Sequence, residues 1–178
     1  MRRLLGIACG ALLAAGAVQA ESVTVDIHRV SDQGVEEQIG TVTLQNSDWG
    51  LVVAPDIRDL PPGTRGFHVH QFPDCGAIDP EGGDNGAAKA AGGHLDPLNT
   101  NVHAGPAADV GHAGDLPVLV VNEEGVAKVP VISPRLRLEA VRGHSLVIHE
   151  GGDNYADEPE PLGGGGARIA CGVIAAAD

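Results

Sequence analysis

A chain of 178 residues is long enough for one domain with a substantial core. Aromatic residues make up only 2% of it, so that core has to come from Val, Leu and Ile. A formal charge of −13 excludes nucleic-acid binding, and attachment to an anionic membrane surface, through bulk charge.

Residues 1–20 read as a signal peptide. Arg2 and Arg3 form a short positive region, Leu4 to Val18 is almost wholly apolar, and Val18-Gln19-Ala20 supplies a cleavage site. The apolar run is too short to span a bilayer comfortably, so no membrane anchor is expected. The mature domain is then residues 21–178, starting at Glu21. Cleavage removes two arginines, taking the formal charge from −13 to −15, and removes Cys9. Cys75 and Cys171 remain, and an even pair in an exported chain invites a disulfide. Closing a loop of about 97 residues, it is worth ~4–5 kcal/mol in the chain-entropy account.

Ser22 to Val30 alternates Val23, Val25 and Ile27 with Thr24, Asp26 and His28, the period of a half-buried strand. It puts His28 on the solvent face, as an ordinary surface histidine. Gln38 to Asn46 and Trp49 to Ala54 read as two further strands around a turn at Ser47-Asp48. Pro61-Pro62-Gly63 reads as a turn into a strand over Gly66 to Phe72. Pro73 to Gly114 has little periodicity and much Gly and Pro, and a loop of about 40 residues is too long to be idle. Leu116 to Val121 and Val126 to Ile132 predict a hairpin around Asn122 to Gly125. Ser145 to His149 and Arg168 to Ile174 are the last strands, with a second long loop, Glu150 to Gly166, between them. No stretch has sustained helical periodicity. The expected fold is all-β: an eight-stranded antiparallel Greek-key sandwich or flattened barrel with two long functional loops.

Six of the eight histidines are clustered in a pattern that suits metal ligation. His68 and His70 stand at i and i+2 of a strand, so both point to one face, about 6–7 Å apart. His94, His103, His112 and Asp115 supply three imidazoles and a carboxylate, a set that suits a closed tetrahedral zinc site. His68, His70 and the distant His149 form an imidazole set that suits copper and leaves it open to substrate. A fourth nitrogen shared by both metals requires an imidazole deprotonated at both positions, and His94 is the candidate. His144 is taken as a satisfied or surface histidine.

Several segments resemble the copper–zinc superoxide dismutase family: Gly66-Phe67-His68-Val69-His70, Ala91-Gly92-Gly93-His94-Leu95-Asp96-Pro97, Gly111-His112-Ala113-Gly114-Asp115-Leu116-Pro117 and Arg168-Ile169-Ala170-Cys171-Gly172-Val173-Ile174. Gly151-Gly152-Asp153-Asn154-Tyr155 and the Pro-Leu-Gly-Gly-Gly-Gly run resemble its bacterial, exported branch. The resemblance covers nearly the whole mature chain. It implies copper at His68, His70, His94 and His149, and zinc at His94, His103, His112 and Asp115. It further implies the Cys75–Cys171 disulfide, a guiding role for Arg168, and Asp153 as the carboxylate linking a copper histidine to a zinc histidine. Glu150 stands where the resemblance implies a small residue. The implied reaction is dismutation of superoxide to dioxygen and hydrogen peroxide by redox-cycling copper, with His94 returning a proton. The implied location is periplasmic, and the resemblance is compatible with a homodimer as well as a monomer. An anion approaching so acidic a chain needs local focusing, for which Arg168 and Lys89 are the candidate cations. The alternative function on the same fold is a non-catalytic copper- and zinc-binding protein.

Overall fold

The computed structural model describes residues 21–79 and 81–177; the expected signal peptide lies outside the described residues. In chain order the strands are β1 (Ser22–Ser31), β2 (Gly34–Ser47), β3 (Gly50–Ile57), β4 (Gly63–Arg65), β5 (Phe67–His70), β6 (Leu119–Val121), β7 (Val131–Ser133), β8 (Ser145–His149) and β9 (Arg168–Val173). Seven of them form one curled antiparallel sheet in the order β5-β8-β9-β1-β2-β3-β7, and β4 pairs with β6 separately. The architecture is the expected antiparallel all-β one. The additional strand is β4, which occupies part of what reads in sequence as a turn.

The alternation in β1 buries Val23, Val25 and Ile27 against Val42 and Leu44 of β2 and Leu51, Val53 and Ile57 of β3. Phe67 is the one aromatic residue in this core among the described residues, so branched aliphatic side chains do carry it. Each is worth about 1.5–3 kcal/mol when fully buried. β3 runs on past the expected end at Ala54. Pro55 is tolerated there because β7 pairs only with Leu51, Val52 and Val53, leaving that side of Pro55 without a strand partner.

The expected hairpin does not form. Asn122 to Gly125 is a tight turn, closed by Asn122 N–H to Val126 O at 2.9 Å, but the flanking strands part from each other. β6 pairs with β4 and β7 with β3, because Leu119 and Val121 are buried where the two-stranded sheet closes over the core. A single-turn helix, α1 (Leu138–Val141), was also not visible as a periodic pattern. Its first N–H, at Leu138, donates to the side chain of Asn46 at 2.8 Å, so its support comes from β2 and not from its own sequence.

Candidate metal centre

In β5, side-chain alternation sends Phe67 and Val69 into the core and His68 and His70 to the opposite face. β8 pairs with it so that His68 faces Val147 and His70 faces Ser145, which puts His149 on that same side. β9 continues the sheet with Cys171 opposite Val147 and Ala170 opposite Ile148, but His149 pairs with Arg168. One residue, Ile169, is skipped. This bulge turns Ile169 back onto the core and presents Arg168 beside His149.

The long loop after β5 has its middle laid against the open edge of that strand. Val69 N–H donates to Gly114 O at 2.9 Å, Leu95 N–H to Val69 O at 2.9 Å, and Gln71 N–H to Gly93 O at 3.0 Å. These bonds set His94 beside His70 and Asp115 beside His68. Gly114 allows the approach, since a Cβ there would run into Val69 O.

The result is a buried cluster. His68, His70, His94 and His149 bring ligand atoms within 4.8 Å of one another, and so do His68, His94, His103 and Asp115. The first group is the expected copper set. The second contains three of the expected zinc ligands, with His68 in place of His112, because the His68 and His94 rings stack at 4.0 Å. His112 stands close by, its Nδ1 3.5 Å from Asp115 Oδ1. The Nδ1 atoms of His94 and His103 lie 3.0 and 3.1 Å from the same carboxylate. Three imidazoles thus converge on Asp115.

Most of the rings are tied on one side and open on the other. His70 Nδ1–H donates to Gly92 O at 3.0 Å and His149 Nδ1–H to Gly166 O at 3.3 Å. His68 and His103 donate through Nε2 to the two oxygens of Asp153, at 2.8 and 2.7 Å. Asp153 therefore links a ring of the first group to one around Asp115. Of the opposite nitrogens, His68 Nδ1, His70 Nε2 and His149 Nε2 are buried without a hydrogen-bond partner, while His103 Nδ1 and His112 Nδ1 face only the Asp115 carboxylate, at 3.1 and 3.5 Å. Buried polar atoms are rarely left so, and outer hydrogen bonds that fix the tautomer are what metal-binding histidines show. The donor set fits copper on the first group and zinc around Asp115.

Electrostatics agree with that division. Burial, with the charge of His68 next, holds His94 down at about 4; burial likewise holds His70 and His149 well below the ordinary imidazole range. They are neutral at physiological pH, the form that binds a metal. Burial opposes charge on His103 too, but hydrogen bonds to Asp115 and Asp153 outweigh it and raise the group to about 9. Burial would raise the two carboxylates, yet their histidine partners hold both below the usual range.

A cavity of about 480 Å³ leads to the cluster, lined by His94, His149, Arg168, Lys89, Asp32 and Gly166 among others. Arg168 is fixed in its wall by donating to Ala88 O and Gly92 O, both at 2.6 Å. Gly92 O thereby serves both Arg168 and His70. Cys75 and Cys171 are bonded, tying the loop that carries Ala88 to β9. His28 and His144 lie apart from the cluster, bonded at Nδ1 to Glu36 O and Gln71 O. Glu150 is exposed, with its N–H on Ala167 O and its carbonyl held by Arg65.

Sequence reasoning missed the residues that hold the ligands in place. Asp157 accepts the His103 N–H at 2.9 Å, Arg135 donates to Gly111 O at 2.8 Å and to His112 O at 3.3 Å, and Tyr155 Oη accepts from Val118 N–H at 3.0 Å. Most of these partners are backbone groups at long sequence separation, which no spacing pattern betrays.

Fold and cluster together define a β-sheet protein built around two adjoining metal positions. A family model described as copper/zinc superoxide dismutase (SODC) matches residues 38–174. The chain is 50% identical to superoxide dismutase (Cu-Zn) 2 of Salmonella typhimurium over 175 residues, covering 98% of this chain and 99% of that one. It is 50% identical to the Cu-Zn superoxide dismutase of Escherichia coli K12 over 165 residues, covering 92% and 94%. Its structure is similar to that of the Cu/Zn superoxide dismutase from Brucella abortus, with a TM-score of 0.82 at 46% identity, covering 86% of this chain and 99% of that one. The chain belongs to the copper/zinc superoxide dismutase family.

Proposed function

We propose that His94 and Arg168 carry the chemistry of this chain, with copper on His68, His70, His94 and His149 and zinc on His94, His103, His112 and Asp115. Superoxide dismutation with copper and zinc is the reaction of its family. The observation that carries the assignment is the set of three buried, partnerless histidine nitrogens, His68 Nδ1, His70 Nε2 and His149 Nε2, beside the convergence of His94, His103 and His112 on Asp115. Bound copper would supply one-electron redox cycling, oxidising one superoxide to dioxygen and reducing a second, which takes up two protons (one by way of His94, one from solvent), to hydrogen peroxide, while zinc would supply a fixed positive charge.

The chain's own residues do the rest. His94 Nδ1 is held on the Asp115 side, so its Nε2 is the atom that takes up a proton and returns it to the reduced product. Zinc-side contacts keep the ring in place through that exchange. Arg168, always cationic and fixed by two carbonyls, draws the anion down the cavity to the His149 side. Lys89, on the same wall, adds a second positive charge. His70 and His149 are kept neutral and oriented by Gly92 O and Gly166 O.

Residues 1–20 direct the chain out of the cytoplasm, to the periplasm, as a cleaved signal peptide. All the ligands come from one chain, so a homodimer adds nothing that the centre needs; a relative from Salmonella enterica is described as monomeric. The experiment is superoxide decay by pulse radiolysis on residues 21–178, with copper and zinc measured in the same sample. Decay proportional to copper, lost on copper removal, is expected. Full occupancy without decay would leave the alternative, a metal-binding protein without turnover.

A further inference from the structure

Resting on the superoxide-dismutase reading, we propose that Asp32 is a positioning residue of the substrate channel: its carboxylate seats the loop segment that holds Arg168, and places a negative charge at the mouth. Asp32 sits in the turn between β1 and β2, far in sequence from any ligand. It is exposed and lines the same cavity as His94, His149 and Arg168. Its Oδ1 accepts the N–H of Ala87 at 3.2 Å, across 55 residues of sequence.

What this bond holds is a strained segment. Ala88, the next residue, is buried and has φ of 50°, in the left-handed region that alanine disfavours. Its carbonyl is one of the two that fix Arg168. The segment is gripped from two sides: Asp32 takes the N–H that precedes the strained residue, and Arg168 takes the carbonyl that follows. Releasing the first grip lets the segment relax and carries the Arg168 acceptor with it.

The charge of Asp32 acts against that service. Asp32 Oδ1 and the Lys89 stem both border Gly86, each 3.5 Å from where a Cβ there would stand, so the carboxylate and Lys89 share the mouth of the cavity. It dilutes the positive field that Arg168 and Lys89 present to an incoming anion. Position and charge are separable by substitution. Asp32→Asn keeps an acceptor oxygen and removes the charge; Asp32→Ala removes both.

The test is superoxide decay by the copper- and zinc-loaded protein across ionic strength, with peptide-level hydrogen exchange over residues 84–91 on the same samples. At about 0.01 M salt, Asp32→Asn is expected to run about 2-fold faster than wild type, the gain vanishing by about 0.5 M as the charge is screened. Asp32→Ala is expected to remain about 3-fold or more slower at 0.5 M, where only position counts, and to exchange faster around Ala87, while Asp32→Asn does neither. Equal rates for the two variants at high salt, or unchanged exchange in Asp32→Ala, overturn the positioning role. Loaded wild type without copper-dependent decay defeats the underlying reading instead, and the exchange comparison still decides whether Asp32 seats the loop.

Discussion

At the scale of single residues the centre sorts its histidines by charge. Arg168 is a cation fixed in the cavity wall beside His149; on the proposed guiding role, Arg168→Ala is expected to slow turnover about 10-fold and to flatten its salt dependence while copper stays bound. Pulse radiolysis with copper analysis checks this, and an unchanged rate would remove the guiding role. His103 makes the opposite kind of statement. It is raised to about 9, above its ordinary 6.5, so in the metal-free protein its ion pairs with Asp115 and Asp153 stabilise the fold fully below pH 6.5. That contribution is lost as pH rises through about 9, and the thermal midpoint of the metal-free protein should fall over that window. His94, down at about 4, is already a neutral imidazole at neutral pH and has no cationic proton to give to zinc. Zinc uptake at about pH 7.5 should therefore release one proton from His103, and none above about pH 10. Calorimetry in buffers of different ionisation enthalpy measures the count.

At the scale of elements, the two long loops are held by the ligands and by each other. Gly163, with φ of 72°, lies against Asp153, and a Cβ there would collide with that carboxylate and sit 2.7 Å from His103 Nε2. Gly163→Ala should push Asp153 off His68 and His103 together and weaken both metals by about 10-fold or more, read by competition with chelators. Much of this was legible in sequence. The period-2 run gave β1, the apolar run ending at His149 gave β8, the i and i+2 histidines gave the metal-facing side of β5, and the long loop announced its purpose through its histidines. Other features were not legible. β6 and β7 look like a hairpin because the Asn122 to Gly125 turn is real, and only the burial of Leu119 and Val121 decides that they pair elsewhere. Arg168 could be picked from the resemblance, but its direction depends on the Ile169 bulge, which local sequence does not encode. His112 is a similar case: its spacing to Asp115 is plain, while the closeness of His68 to the same group comes from ring stacking across strands.

At the scale of the whole molecule, the sheet supplies one wall of the centre and the disulfide fastens the loop half to it. Cys75 and Cys171 are 96 residues apart in sequence, so their bond restrains most of the unfolded chain. Replacing both by alanine should cost ~4–5 kcal/mol in the chain-entropy account, visible in denaturant unfolding of the metal-free protein. Because that bond also anchors the loop bearing Ala88 and Gly92, the same variant should lose activity before it loses structure.

Gly92 carries a wider consequence. One carbonyl oxygen accepts from His70, a copper-side ligand, and from Arg168, the cation at the entrance. The gate and the reactor are thus calibrated against a single reference mark. A shift of that oxygen retunes anion capture and ligand geometry together, so this loop offers evolution or an engineer no way to adjust one without detuning the other.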